Sequence, residues 1–128
     1  MDVATLAEAL RASWDEKTAY RGVVRVGNSA YGQCYPTSRV VRWFYPAFEI
    51  AKGEVWTPTG IEQHFWNARA DGTEWLDLSW EQFPAGSRVL HYVLLDRHAL
   101  GDSDPTVARC ALLLERVQSY LSRRSVRA

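Results

Sequence analysis

The sequence predicts an α+β fold in which N-terminal helices pack on a small antiparallel sheet and a C-terminal helix closes the chain. Apolar residues recur at helical spacing near both ends, whereas the middle holds short β-rich runs separated by turn residues. The 128 residues suit a single domain, because a chain of this length buries roughly two thirds of its unfolded surface. Residues 1–128 are therefore expected to form one domain, with a basic C-terminal tail over 122–128 that is expected to fray.

The first helix is predicted over residues 3–14, and Asp2 can accept hydrogen bonds from the free amides of its first turn. Its inward-facing apolar residues are Val3, Leu6, Leu10 and Trp14. Residues 15–32 then mix Gly, Asn and Ser with one short apolar run, which predicts a long loop with a brief extended piece. Structureless loops longer than about 12–15 residues are often functional in compact domains, so this loop is of interest.

A second helix is predicted over residues 35–44. Pro36 is tolerated in its first turn, and Pro46 ends it. Cys34 then lies at the N-terminal edge of the helix. Pro36 also disfavours helical geometry at the residue before it, which would leave Cys34 just outside the helix.

The middle of the chain predicts an antiparallel meander. Its extended pieces are 48–51, 54–57, 63–69, 73–79 and 87–95. Lys52-Gly53 and Asp71-Gly72 are the turn signals between them. A last helix is predicted from Pro105, with Asp104 as its N-cap. The inward stripe predicted for that helix is Val107, Ala111, Leu114, Val117 and Leu121.

Composition and charge favour a protein without a nucleic-acid or membrane partner. Fifteen basic and fifteen acidic residues cancel, so no strong field attracts a polyanion or an anionic surface. No window approaches the roughly 18 apolar residues of a spanning helix, and nothing near the N-terminus resembles a targeting segment. We expect a cytoplasmic protein, and the oligomeric state stays open.

The two cysteines are both expected to be reduced. Cys110 lies in the apolar helical segment VARCALLLERV, where a buried free thiol is common. His91 lies in an apolar strand and is expected to be structural, whereas His98 lies in a polar loop and is expected to be solvated. Neither has metal-ligand spacing with the other candidates, so we expect no metal and no cofactor.

A two-residue turn at Asp71-Gly72 fixes which residues of the two flanking strands face each other. In this register Arg69 faces Glu74. That pairing of opposite charges is favourable. The same register makes His64 and Asp77 diagonal neighbours on one face of the hairpin. A three-residue turn would instead send them to opposite faces.

Cys34, His64 and Asp77 together provide the parts of a thiol nucleophile site. A helix N-terminus favours a thiolate and offers donors to an oxyanion. A nearby imidazole takes the thiol proton and returns it to a leaving group, while a carboxylate holds the ring in one tautomer. The predicted roles are nucleophile for Cys34, base and acid for His64, and orienting group for Asp77.

The segments GQC, HFW and WLD resemble the G-x-C, H-x-W and W-x-D pattern of papain-like and transglutaminase-like cysteine proteins. More narrowly, Tyr31 to Phe83 resembles the small bacterial YunG-like family, with the motifs GQC, HFWN and DLSWEQF. The resemblance implies a papain-like fold with a candidate thiol site. Since papain-like enzymes often place an oxyanion amide about six residues before the cysteine, it also suggests Asn28 or the adjacent Gln33 as the donor. The larger relatives' substrate-binding lobes cannot fit in this length.

The sequence therefore predicts a cysteine-dependent hydrolase or acyl-transferase for an amide or thioester, with a peptide or protein amide as a possible substrate. Trp66, Trp75 and Tyr35 are candidates for lining its cleft. Plainer explanations also fit: a buried Cys34, a core His64, or an Asp77 that only caps the short turn after it. A non-catalytic peptide- or protein-binding module of the same fold is the main alternative, and a subunit of a larger complex is another.

Overall fold

The computed structural model describes the backbone of residues 1–127 and the side chains of residues 1–125. The helices are α1 (Val3–Ser13), α2 (Cys34–Phe44) and α3 (Asp104–Arg127), and the strands are β1 (Phe48–Thr57), β2 (Gly60–Arg69), β3 (Trp75–Leu76) and β4 (Arg88–Leu94). The four strands form one antiparallel sheet in the order β3-β2-β1-β4. The α+β class and the order of its parts are confirmed. None of the described helices is long and apolar enough to cross a membrane.

The three helices share the main hydrophobic core. The Asp2 carboxylate accepts from the amide of Thr5 at 2.8 Å, which confirms the predicted cap of α1. The indole of Trp14, just past the end of α1, donates to the Thr37 hydroxyl at 3.0 Å and joins this helix to α2. The buried members of the core are Leu6, Ala9, Leu10, Trp14, Ala30, Val40, Val41, Leu113 and Val117.

The buried face of α3 differs from the predicted stripe. Val117 is buried as expected, but Val107 is 50 % exposed, and Cys110 and Leu113 face the core instead. A shift of one residue along the sequence rotates the predicted buried face of a helix by only about 100°. The spacing of apolar residues alone therefore does not determine the buried face of α3 accurately. The helix also continues to Arg127, through most of the predicted tail, whereas residue 128 lies outside the described residues.

The predicted turn at Lys52-Gly53 is wrong, because β1 runs through it without a break. A Cβ on Gly53 would lie 2.3 Å from the carbonyl oxygen of His91 and 2.7 Å from the Trp66 ring. This glycine therefore permits close packing inside a strand, the other common reason for glycine there. The chain turns at residues 58–59, and Thr57 pairs with Gly60 across the hairpin.

The predicted register of the second hairpin is confirmed. Asn67 faces Leu76 and Ala68 faces Trp75, as the Asp71-Gly72 turn requires. The Arg69 side chain contacts the Glu74 carboxylate at 3.1 Å, which is the predicted charge pair. The partner strand is much shorter than the predicted 73–79, because pairing ends at Leu76.

β4 confirms the strand predicted at 87–95, and it pairs with β1. His91 is not in the interior, because its side chain is 67 % exposed and contacts Glu54 at 2.7 Å. His98 is exposed, as expected. Cys34 and Cys110 are both free thiols, and Cys110 is buried.

Candidate functional site

Cys34 is the first residue of α2 and lines a cavity of about 880 Å³. The helix begins at Cys34 in spite of Pro36, which corrects the expectation that the cysteine lies just outside it. Proline is tolerated here because the first amides of a helix have no intrahelical acceptor, so its missing N–H costs nothing. The thiol is partly exposed at the junction of helix and cavity.

The loop before α2 is held in place by the buried side chain of Gln33. Its Oε1 accepts from the Thr18 hydroxyl at 2.8 Å, and its Nε2 donates to the carbonyl of Asp15 at 2.9 Å. Tyr20 N–H donates to the carbonyl of Gly32 at 2.9 Å, which closes the loop on itself. The loop thus forms one side of the cavity, to which Tyr20 and Arg21 contribute.

These contacts bear on the two predicted oxyanion donors. Gln33 is fully buried, and its amide nitrogen donates to the carbonyl of Asp15 in the loop. Asn28 donates from Nδ2 to the carbonyl of Gln82 at 2.9 Å. Neither side chain lines the cavity at Cys34, whereas Gln82 does. The structure therefore assigns both predicted amides a role in loop structure and brings a different amide to the cavity.

His64 is fully buried on β2, and its Nε2 lies 2.7 Å from Oδ2 of Asp77. This is the contact that the hairpin register predicts. The other oxygen of Asp77 accepts from the amide of Ser79 at 3.2 Å. The carboxylate therefore contacts both the ring and the turn after β3.

Aromatic side chains enclose the imidazole. Trp66 stacks on the ring with centroids 5.6 Å apart, and Phe83 meets it edge-on at 4.7 Å. Gln82 places its Nε2 3.5 Å from Nδ1 of His64. With Nε2 bound to Asp77, Nδ1 is the nitrogen available to a second partner.

The charges around His64 favour its protonated form. Burial of the ring lowers its pKa, but contact with Asp77 and Cys34 raises it by more, so the pKa of His64 rises from 6.5 to about 9. Among the described residues, no well-aligned hydrogen bond joins the sulfur to the ring. Such loose nucleophile–base contacts are common without substrate.

The second wall of the cavity is tied to α2 through Tyr35. Its hydroxyl donates to Asp102 at 2.5 Å, and Arg39 also binds that carboxylate. Burial and the hydrogen bond to Asp102 raise the pKa of Tyr35 to about 12. The Tyr35 ring also packs edge-on against Phe65 at 4.8 Å. Tyr35 thus lines the cavity as predicted and anchors the segment before α3.

The two predicted tryptophans lie elsewhere. Trp66 is 1 % exposed and packs over Gly53, and Trp75 is 45 % exposed beside Tyr92. Neither lines the cavity at Cys34. The alternation of β2 explains the difference, since Trp66 shares the face of His64, where it fills a second small core, while Phe65 on the other face reaches the cavity.

Sequence reasoning missed several cavity residues. Gln82 lies within the DLSWEQF motif, where its spacing to Asp77 was a usable signal. Arg21, Asp102 and Arg109 come from the loop, the segment before α3 and α3 itself, and no local pattern linked them. In the described part of the chain, no group of three or more His, Cys, Asp or Glu residues is arranged to hold a metal ion.

The fold and the site define an α+β protein in which a cysteine lines a cavity and a buried histidine contacts an aspartate. The model of the YunG protein family matches residues 2–122, and the chain belongs to this family. The match covers far more of the chain than the motif-bearing segment from Tyr31 to Phe83. No curated protein and no solved structure matches the chain significantly.

Proposed function

We propose that the protein is a cysteine-dependent hydrolase or acyl-transferase that acts on an amide or thioester bond. Cys34 is the nucleophile, His64 is the base and acid, and Asp77 orients the ring. The fold is a small variant of the papain-like and transglutaminase-like class. The observation that carries this proposal is the buried imidazole of His64, which contacts Asp77 at 2.7 Å and has a pKa that Cys34 helps to raise, while Cys34 itself lines the cavity.

The proposed reaction runs through an acyl-enzyme. The sulfur of Cys34 attacks the carbonyl carbon as Nδ1 of His64 takes the thiol proton. That proton passes to the leaving amine or thiolate as its bond to the carbonyl breaks. His64 then takes a proton from water, in a hydrolase, or from an acceptor amine, in a transferase, and the free thiol is restored.

Two donors support the oxyanion in this scheme. The side-chain amide of Gln82 lines the cavity, and the first N–H groups of α2 lack intrahelical acceptors. Gln82 is a better candidate than Gln33 or Asn28 because it lines the cavity and they do not. Its amide donates to the carbonyl of Ser79 at 3.1 Å, so it has to turn away from that carbonyl to reach an oxyanion. We expect Gln82→Ala to reduce acyl transfer while Cys34 stays reactive toward alkylation.

Selective alkylation tests the nucleophile. We expect iodoacetamide to modify Cys34 at least about tenfold faster than Cys110, because Cys110 is buried and burial raises its pKa to about 11. Cys110→Ala is the matched control and should keep the reactive thiol. Equal and slow modification of both cysteines would overturn the proposal.

The role of His64 is tested by a second variant. His64→Ala should slow alkylation of Cys34 at pH 7 by about tenfold or more, because the thiolate loses its cationic partner. Mass spectrometry after treatment with p-nitrophenyl acetate should show one acetyl group on Cys34 of the unaltered protein. Circular dichroism verifies that the variant is folded, and a folded variant with undiminished reactivity would refute the assignment.

One observation favours a second candidate, a peptide- or protein-binding module of the same fold. His64 is fully buried and does not itself line the cavity, so a leaving group in the cavity does not contact the ring unless the side chains that enclose it rearrange. Cys34→Ala separates the two functions. If the protein is an enzyme, the Cys34→Ala variant forms no acyl-enzyme and does not maintain the cellular phenotype of the unaltered protein. If it is a binding module, the variant keeps both partner binding and that phenotype.

A further inference from the structure

The cavity beside Cys34 has an excess of positive charge. Arg21, Lys52 and Arg109 line it, and among the described residues none of the three forms an ion pair. Two carboxylates also line it, but Asp102 is already bound by Arg39 and by the Tyr35 hydroxyl. Glu62 is therefore the one lining carboxylate in the described chain left to balance these three cations.

Two of these cations share one aromatic ring. The guanidinium carbon of Arg21 lies 5.2 Å from the centroid of the Tyr20 ring, and that of Arg109 lies 5.6 Å from the same centroid. Arg21 comes from the loop before α2 and Arg109 from α3, so two distant segments bring like charges to one place. An anion bound in the cavity would be attracted by both guanidinium groups.

Arg21 adopts a backbone conformation that a side chain disfavours. Its φ of 54° and ψ of 21° lie in the left-handed region, and no other non-glycine residue of the described chain has a positive φ. Such a residue is strained relative to glycine. An arginine at this position therefore carries a conformational cost that glycine would avoid.

Arg109 carries an unmet hydrogen-bonding group. Its Nη2 donates to the Thr106 hydroxyl at 2.9 Å, but its Nε is buried and has no partner among the described residues. Buried donors without a partner are uncommon in folded proteins, so the protein itself does not fully satisfy this guanidinium. A guanidinium with free donors suits the paired oxygens of a carboxylate or phosphate.

We propose that Arg21 and Arg109, here called the arginine pair, bind an anionic group on the substrate whose carbonyl carbon Cys34 attacks. The proposal rests on the proposed function and adds the substrate class: amides or thioesters that carry a carboxylate or a phosphate near the scissile bond. The aromatic rings of Tyr20, Phe65 and Phe83 offer an apolar surface to the rest of the acyl group.

The test compares two alkylating reagents of similar size and different charge. Iodoacetate carries a carboxylate and iodoacetamide is neutral, so the ratio of their rates at Cys34 reports recognition of an anion beside the sulfur. We expect Arg21→Gln and Arg109→Gln each to lower the iodoacetate rate about threefold to tenfold, and to leave the iodoacetamide rate within about twofold. Arg88→Gln, an exposed arginine outside the cavity, is the matched control and should change neither rate.

Arg21→Gly distinguishes recognition from a structural role. Glycine adopts this backbone conformation without strain, so the melting temperature should be unchanged or higher while the preference for iodoacetate falls. A lower melting temperature with an unaltered preference would assign Arg21 a structural role and overturn the proposal.

A separate readout keeps this inference distinct from the proposed function. Inorganic phosphate and succinate should each raise the melting temperature of the unaltered protein, with the larger shift identifying the phosphate or the carboxylate as the preferred group. The shift should disappear in the Arg21→Gln, Arg109→Gln double variant. If Cys34 is unreactive but the shift is seen, the proposed function fails and anion binding survives. If neither anion shifts the melting temperature and the arginine variants leave the rate ratio unchanged, the inference is overturned.

Discussion

Replacement of Asp77 by asparagine tests whether charge, rather than shape, holds the His64 imidazole. Asparagine keeps an oxygen for the amide of Ser79, so the turn after β3 can persist while the negative charge beside the ring is lost. In the unaltered protein, the pKa of His64 rises from 6.5 to about 9. At about 1.4 kcal/mol for each pKa unit, this rise corresponds to about 3 kcal/mol of stability.

The sign of the pH dependence follows from linkage. Because the folded-state pKa of His64 is raised, its contribution is fully present below pH 6.5, the unfolded value, and is lost as the pH rises to about 9. The free energy of unfolding should therefore fall by about 3 kcal/mol between about pH 6 and pH 9.5. In Asp77→Asn that fall should be much smaller, because the largest interaction that raises the pKa of His64 is removed.

Urea unfolding followed by tryptophan fluorescence measures the free energy of unfolding of the unaltered protein and of Asp77→Asn, since Trp66 stacks on the His64 ring. Glu54→Gln is the matched control because His91 contacts Glu54 at the same 2.7 Å but is exposed, and exposed pairs contribute little. Its pH dependence should match that of the unaltered protein. An Asp77→Asn protein with the unaltered slope would refute the argument that this carboxylate raises the pKa of His64.

Three further substitutions test how the site is supported, each through the free energy of unfolding from urea titration. Gly53→Ala should cost about 3 kcal/mol or more, because the new methyl group meets a backbone carbonyl that cannot move aside; a loss under 1 kcal/mol would contradict the close packing. Gln33→Leu should cost about 1–3 kcal/mol, at about 0.5–1.5 kcal/mol for each of the two lost hydrogen bonds, to the Thr18 hydroxyl and the Asp15 carbonyl, and faster proteolysis within 15–32 should accompany it. Tyr35→Phe should cost about 1–2 kcal/mol through the lost bond to Asp102, and an unchanged value would mean that Arg39 alone holds that carboxylate.

The sequence was sufficient for features that depend on local chemistry. The Asp2 cap, the start of α2 near Cys34 and the register set by Asp71-Gly72 all follow from residues within one turn or hairpin. Because a sheet register fixes which side chains meet, it also predicted the contact between His64 and Asp77. The part of the site built by the hairpin was therefore accessible from sequence.

Features that depend on distant segments were not accessible. From sequence, Gly53 predicts a turn, and only the packing of β4 and Trp66 against it shows why glycine stands there. Likewise, Gln33 is a plausible oxyanion donor until its bonds to Thr18 and Asp15 are known. In each case the deciding contact joins residues far apart in sequence, or a loop whose path no periodicity describes, so tertiary packing overrode a reasonable local interpretation.

The early end of β3 matters to the site itself. Had pairing continued in the same register, Ser79 would face His64 directly and Asp77 would face Trp66. Instead, the amide of Ser79 turns back to Oδ1 of Asp77, pairing stops at Leu76, and Oδ2 comes to 2.7 Å from the ring. One carboxylate thus ends the strand and orients the imidazole.

Asp77→Glu tests whether the same carboxylate has to contact both His64 and the amide of Ser79. The substitution keeps the charge but adds a methylene that moves the carboxylate away from the turn. We expect the variant to lose stability at every pH, since the bond to the amide of Ser79 is broken, while a fall in stability between about pH 6 and pH 9.5 persists. Alkylation of Cys34 should slow because the ring is no longer held at one angle. If Asp77→Glu matched the unaltered protein in both stability and alkylation rate, the carboxylate would act through charge alone and the geometry of the shortened strand would be irrelevant to the site.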